Sequence, residues 1–225
     1  MERKVYIWKS NNIIGKSNMK LENIFRVLKA YRRDIGATYT IRELSERIGL
    51  SYEPTHRHVN SLVAEGVLGK NRVGKAYEIG LKDTEKTKTY LSLLTEEERE
   101  ELFGRKSSAG KIVDEFLSGV KEELGERLQS VVLFGSYARG GGTERSDIDL
   151  LTLSSSLKDK GVVDRIASTI EMRYGKSIST VVADLESMKK MLASETSTVG
   201  TEALTDGIII FGHKRFWDIV FEVKL

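Results

Sequence analysis

Along the first eighty residues the apolar positions recur at helical spacing in short, separately capped blocks. Leu21, Ile24, Phe25 and Leu28 fall on one side of a helix predicted over Leu21–Tyr31. Thr40-Ile-Arg-Glu43 reads as a capping box, in which a threonine hydroxyl and a glutamate carboxylate each accept from the other's backbone N–H. It predicts a short helix ending at Ile48-Gly49. Ser51 predicts the cap of a third helix, with Pro54 in its first turn, where a missing N–H is harmless. That helix turns Val59, Leu62 and Val63 inward and stops at Gly66. The period then drops to two: VLGKNRVGKAYEI (67–79) predicts two short strands around a turn at Asn71–Gly74. KVYIW near the start is strand-like, and residues 1–17 are expected to extend that small sheet or to mediate a dimer.

From 82 to 104 the pattern is charged and helical, with a second capping box at Thr95–Glu98 and a stop at Gly104. A further helix over Ser108–Leu124 places Ile112, Val113, Phe116, Val120 and Leu124 on one face. Apolar strands then alternate with helices. VVLF (131–134) and DIDLLTL (147–153) precede a helix over 161–174, then come ISTVVA (178–183), a helix over 185–193, and GIIIF (207–211) before the amphipathic end RFWDIVFEVKL. The alternation predicts an α/β module. The expected organisation is a two-domain α+β / α/β chain, with a helical domain and hairpin over 1–82, a helical connector over 83–106 and the α/β domain over 107–225.

Composition adds limits. The chain of 225 residues is 40% hydrophobic and 31% charged, as in ordinary globular proteins. The absence of cysteine excludes disulfides and thiolate metal sites, and a reducing, cytoplasmic setting is expected. MERKVYIWKSNN lacks the apolar region of a signal peptide. No apolar run approaches the roughly 20 residues of a membrane span. The formal net charge of +3 is unevenly spread: residues 1–82 hold 16 Lys+Arg against 8 Asp+Glu, a balance of +8, and the rest carry −5. A basic half is an electrostatic footprint compatible with nucleic acid.

TIRELSERIGLSYEPTHRHVNSLVAEGVLGK resembles the helix-turn-helix and wing of the winged-helix superfamily, in the turn at Ile48-Gly49-Leu50 and in the LVAEGVL exit. The resemblance implies a third helix in the major groove of double-stranded DNA, a wing on the backbone and, for a palindromic site, a homodimer. On that helix His56, Arg57, Asn60 and Ser61 lie opposite the apolar side and offer groups for base edges or phosphates. Lys70, Arg72 and Lys75 cluster at the hairpin tip, suited to phosphates. The alternatives are a solvated helical face or a protein-contact module. His56 and His58 fall on nearly opposite sides of the helix, so no zinc site is expected.

The stretch FGSYARGGGTERSDIDL (134–150) carries the chemistry. A tight Gly135-Ser136 turn lets backbone N–H groups and a hydroxyl approach a phosphate. Asp147 and Asp149, at i and i+2 of a strand, point the same way with Cα atoms about 6–7 Å apart. Both carboxylates can then reach one hard cation, and Mg²⁺ takes one or two carboxylates together with phosphate oxygens. The alternative is a strand that starts late, with Ser146 and Asp147 finishing the loop and Asp149 alone facing solvent.

The whole string resembles the signature of the minimal nucleotidyltransferases of the DNA polymerase β superfamily, G-S-x-A-R-G followed by S-D-x-D-[LF]. Gly135, Ser136, Ala138, Arg139, Gly140, Ser146, Asp147, Asp149 and Leu150 occupy its fixed positions, and the resemblance extends over about residues 110–212. It implies a polymerase-β-like fold with a small mixed sheet, and transfer of a nucleoside monophosphate from an NTP to an acceptor hydroxyl on a protein, an RNA or a small molecule. By that resemblance Gly135 and Ser136 hold the triphosphate and Asp147 and Asp149 ligate Mg²⁺, with Mn²⁺ as the alternative ion. Arg139 either neutralises phosphate or pairs with a carboxylate and shapes the turn.

The chain departs from the pattern at the third carboxylate, which the family places on the next strand, near Ser179 or Val181. ISTVVA has no acid. Asp184 and Glu186 follow it; they substitute as metal ligands only in another strand register, and otherwise cap and begin the next helix. The chain resembles the fused regulators, chiefly archaeal, that join these two modules. Three readings follow: a DNA-associated transferase, a transcriptional regulator with a nucleotide-sensing domain, or an antitoxin-like nucleotidyltransferase that modifies a partner toxin.

Overall fold

The computed structural model describes residues 21–103, 108–143 and 145–225. The strand-like KVYIW, with the rest of residues 1–17, lies outside these, as does Gly104. The chain divides into two compact units, one ending at Leu91 and the other running from Ser92.

In the first unit, α1 (Leu21–Lys29) buries Ile24, Phe25 and Leu28 of the expected stripe, adds Val27, and leaves Leu21 half-buried. A two-residue strand β1 (Thr38–Tyr39) leads into α2 (Ile41–Ile48). The capping box at its start forms as read: Glu43 Oε2 accepts the Thr40 N–H at 2.7 Å and Thr40 Oγ1 accepts the Glu43 N–H at 3.3 Å. α3 (Tyr52–Ala64) begins after Ser51, whose hydroxyl makes no capping bond. Its buried stripe is Thr55, Val59 and Leu62, and Val63 is only half-buried. Thr55 is tolerated inside because its hydroxyl donates to the Ser51 carbonyl at 2.9 Å.

β2 (Leu68–Val73) and β3 (Ala76–Leu81) pair antiparallel from Leu68↔Leu81 to Val73↔Ala76, and β1 adds to the other edge of β3. The turn is therefore Gly74-Lys75, not Asn71–Gly74, and Asn71 and Arg72 belong to the strand. Such two-residue turns need positive φ, and Gly74 supplies 60°. After the hairpin, α4 (Glu85–Phe103) runs unbroken through Thr95. Thr95 is buried and its hydroxyl donates back to the Ser92 carbonyl at 3.0 Å, so the second capping box does not form.

The second unit continues with α5 (Ser108–Leu124), β4 (Leu128–Phe134), the short α6 (Gly135–Ala138), β5 (Ile148–Ser154), α7 (Lys160–Tyr174) and β6 (Ile178–Ala183). It closes with α8 (Leu185–Ala193), α9 (Val199–Thr205), β7 (Ile208–Phe211) and α10 (His213–Lys224). The sheet order is β6-β5-β4-β7, with β5 and β6 parallel and β4 antiparallel to both neighbours, a small mixed sheet. Val131, Leu133, Ile148 and Leu150 pack on one face against Ile112, Phe116 and Val120 of α5 and Val163 and Ile170 of α7. The alternate residues, Asp149 among them, face the side that α8, α9 and α10 cover. The helix α9 was not expected; its capping box uses Thr201 at the place of the usual glutamate, which hides the signal. Among the described residues no helix is long and apolar enough to cross a membrane.

Candidate functional site

The end of β4 brings the glycine–serine turn to the first acid. Phe134 pairs with Asp149 across the β4–β5 ladder, and Gly135 follows with φ +70°. A Cβ at Gly135 would lie 2.1 Å from Asp149 Oδ2 and 2.9 Å from its Cγ. The carboxylate thus occupies the volume a side chain at 135 would need, and the backbone there adopts a conformation that disfavours any side chain. Ser136 is half-buried beside it, and Arg139 is exposed at the end of α6.

Asp147 stands one residue before β5, exposed, because pairing with β6 begins where the Ile148 N–H donates to Ser177 O at 3.0 Å. The strand does start late, yet Asp149 is not alone. Its carboxyl is held above the usual range by burial first, and the negative charges of Asp147 and Glu202 push the same way. A hydrogen bond from Ser179 and the Arg139 guanidinium act in the opposite direction. The parallel register Asp149↔Ser179 accounts for the serine contact.

Where the family places a third acid, β6 therefore offers the Ser179 hydroxyl, with Val181 next on that face. Asp184 lies five residues farther along, about 16 Å at 3.3 Å per residue. Its Oδ1 accepts the Ser187 N–H at 2.9 Å, which caps α8; the Ser187 hydroxyl first and then this N–H hold its carboxyl below the usual range. Glu186 is exposed in the first turn of that helix. Among the described residues no three metal-ligating side chains converge. Glu202, exposed on α9, has no sequence signal tying it to the motif, because only the packing of α9 brings it within electrostatic range of Asp149.

Residues outside the signature brace the loop between the glycine turn and the acids. Tyr137 Oη donates to Thr143 O at 2.7 Å, and Lys176 Nζ donates to the same carbonyl at 3.0 Å. Lys176 also sits 5.0 Å over the Tyr137 ring. Gly142 lies so close to that ring that a Cβ would stand 2.4 Å from Tyr137 Cδ1. Ser146 Oγ accepts the Thr143 N–H at 3.1 Å, which gives the signature serine a structural part.

On the first unit, Arg57 and Asn60 are exposed on α3, and His56 and Ser61 are half-buried. The His56 ring stacks on Tyr52 at 5.9 Å and 13°, with Asn60 Nδ2 3.1 Å from its Nε2. Lys70 Nζ lies 4.5 Å over the Tyr77 ring. Arg72 Nε donates to Gly74 O at 3.3 Å, and Lys75 is exposed in the turn itself.

These two constructions have counterparts among known proteins. A sequence profile described as winged helix-turn-helix DNA-binding matches residues 21–68, and one described as a nucleotidyltransferase domain matches residues 113–192. Two proteins of Methanocaldococcus jannaschii, each named "Putative protein adenylyltransferase", are 35% identical to the chain. One aligns over 117 residues, 47% of this chain and 74% of its own, and the other over 95 residues, 41% and 95%. Among solved structures, a chain from a mutant of the toxin–antitoxin MntA-HpeT covers 52% of this chain and 84% of its own, at a TM-score of 0.37 and 19% identity. A chain from a toxin–antitoxin structure with AMP-PNP covers the same shares at 0.37 and 20%. The matched signature, the mixed sheet that presents it and the identity to the two archaeal relatives together place the chain in the nucleotidyltransferase domain family, with a winged helix-turn-helix module before that domain.

Proposed function

We propose that the protein is a DNA-binding transcriptional regulator whose nucleotidyltransferase domain binds Mg²⁺–NTP and transfers the nucleoside monophosphate to an acceptor hydroxyl. The observation that carries it is the fit of the Asp149 carboxylate into the space left by Gly135, with Asp147 close enough to raise its pKa. Two neighbouring carboxylates destabilise the bare site, and a divalent cation with a bound triphosphate relieves the repulsion. Their donor set fits Mg²⁺, which needs no more than one or two carboxylates once phosphate oxygens are present. On this reading Asp147 and Asp149 hold the ion, and Gly135 and Ser136 receive the triphosphate at the opening of α6. Arg139, exposed and near Asp149, answers the phosphate charge. When bound, Mg²⁺ supplies charge neutralisation at the attacking and leaving oxygens. The acceptor oxygen bonds to the α-phosphorus as the bond to the bridging oxygen breaks. Pyrophosphate leaves with that electron pair, and the acceptor proton is lost to water.

The names of the archaeal relatives guide the choice of ATP as donor and a protein hydroxyl as acceptor. In the first unit we assign His56, Arg57, Asn60 and Ser61 to the groove and Lys70, Arg72 and Lys75 to phosphates. We take residues 1–82 for DNA, 83–106 as the connection and 107–225 for nucleotide.

The test is incubation with ATP labelled at the α-phosphate, Mg²⁺ and cell lysate. Labelled protein that disappears with Asp147→Ala supports transfer. A second reading, a nucleotide-sensing regulator without transfer, is favoured by one feature: β6 sets the Ser179 hydroxyl, not a carboxylate, beside Asp149. Mg²⁺-dependent ATP binding with no labelled product supports the sensor, and absence of both sinks the nucleotide site.

A further inference from the structure

Away from the helix face assigned to DNA, the first unit gathers a second set of cations. Arg26, Lys29 and Arg33 follow one another at i, i+3 and i+7 along the side of α1 and the turns after it, opposite the buried Ile24 and Leu28. Arg47, in the last turn of α2, meets the same space, and Asp34 and Tyr39 complete the wall of a cleft of about 590 Å³. Among the described lining residues four are cations and one is a carboxylate; Arg33 is already engaged elsewhere, and Asp34 accepts the Gly36 N–H at 3.2 Å. Arg26 reaches Glu22 at 3.7 Å, an exposed pair of the kind that contributes little. The Arg47 guanidinium is seated 4.3 Å over the Tyr39 ring, which sets its plane and leaves its N–H edge for an acceptor.

Like charges around one concave space repel, and concavity concentrates their field. None of His56, Arg57, Asn60, Lys70, Arg72 or Lys75 lines the cleft. We propose that this cleft is a phosphoryl-binding site, with Arg26, Lys29 and Arg47 as its donors. The phosphoryl group comes either from a small phosphorylated molecule held whole in the cleft or from a backbone phosphate of bound duplex. The cleft's size matches the first, since small-ligand pockets run from about 300 to 1,000 Å³. The site uses no residue of the nucleotidyltransferase domain, so it stands or falls independently of the transfer reaction.

His58 provides a local reporter. Its ring, on the flank of α3, is held below the ordinary histidine range by burial first and then by Arg57 and Arg26. An anion beside Arg26 offsets part of that field and moves the His58 titration upward. The experiment uses the full chain in Mg²⁺-free buffer with chelator, following the histidine ring signals by NMR while pyrophosphate is added. The expected result is a saturable upward shift of the His58 pKa. Affinity for pyrophosphate should fall at least tenfold in Lys29→Gln/Arg47→Gln, with duplex binding unchanged. Should pyrophosphate have no effect while the same substitutions weaken duplex binding tenfold, the phosphoryl group is a DNA phosphate. If neither pyrophosphate nor duplex affinity responds to the substitutions, the proposal is overturned. Lys29→Gln alone, at an exposed position, repeats the comparison should the double variant unfold.

Discussion

A methyl group at position 135 would stand 2.1 Å from Asp149 Oδ2, on a backbone whose φ is +70°. The left-handed conformation alone disfavours a side chain by about 1–2 kcal/mol, and the carboxylate has to move as well. Gly135→Ala is therefore expected to lower the melting temperature by about 2–8 °C for each kcal/mol lost. It should also abolish the further rise that Mg²⁺–ATP produces in the wild type. Thermal denaturation with and without Mg²⁺–ATP checks this, and a variant that keeps the full nucleotide-induced rise would contradict the proposed site. At this scale the sequence picked out the candidate residues, because a glycine–serine pair and two aspartates are unusual company for apolar strands. Ser179, Lys176 and Glu202 were not legible as a group. Each is an ordinary polar residue until the β5–β6 register, the Tyr137 ring and the packing of α9 bring it to the loop or to Asp149.

At the scale of elements, local signals succeeded where both partners sit within one turn. Thr40 and Glu43 form their capping box because each finds the other's N–H three residues away. Thr95 carries the same letters but lies buried inside a continuous helix, where packing outweighs a cap. Tertiary packing also sets the ionisation of His213, the first residue of α10. Burial holds its pKa at about 4, with Arg99 acting in the same direction. Its Nε2 lies 3.3 Å from Glu96 Oε1 without a hydrogen bond, and burial raises the Glu96 carboxyl in turn. The folded-state pKa is below the unfolded value of 6.5, so the unfolded chain takes up the proton first as pH falls. The contribution of His213 to stability is complete above about pH 6.5 and declines toward pH 4. By pH 4.5 the wild type should have lost about 2–3 kcal/mol through this group. His213→Leu removes that term, so its acid limb should be flatter by that amount in urea unfolding at pH 7.5, 5.5 and 4.5. Parallel acid limbs in the two proteins would refute the assignment.

For the molecule as a whole, the uneven charge forecasts behaviour toward DNA. With +8 on residues 1–82 against −5 on the remainder, the basic half provides a salt-sensitive attraction to a polyanion. Arg72→Ala, at the exposed wing, should weaken duplex binding for every sequence and reduce the salt slope by about 1. Arg57→Ala on α3 should weaken binding by about 1–3 kcal/mol and relax sequence preference. Fluorescence anisotropy across a salt series measures both, and unchanged affinity in the two variants would reject the proposed groove geometry. By itself the sequence determined the two modules and most of their helices and strands, and it singled out the glycine–aspartate motif as the candidate site. Those depend on periodicity, capping and residue type, which act over a few neighbouring positions. Only the tertiary structure decided the strand register that puts Ser179 beside Asp149, the placing of Asp184 as a helix cap, and the convergence of four cations on one cleft. Each of these depends on which distant segments share a ladder or a packed face, and no local pattern encodes that distance.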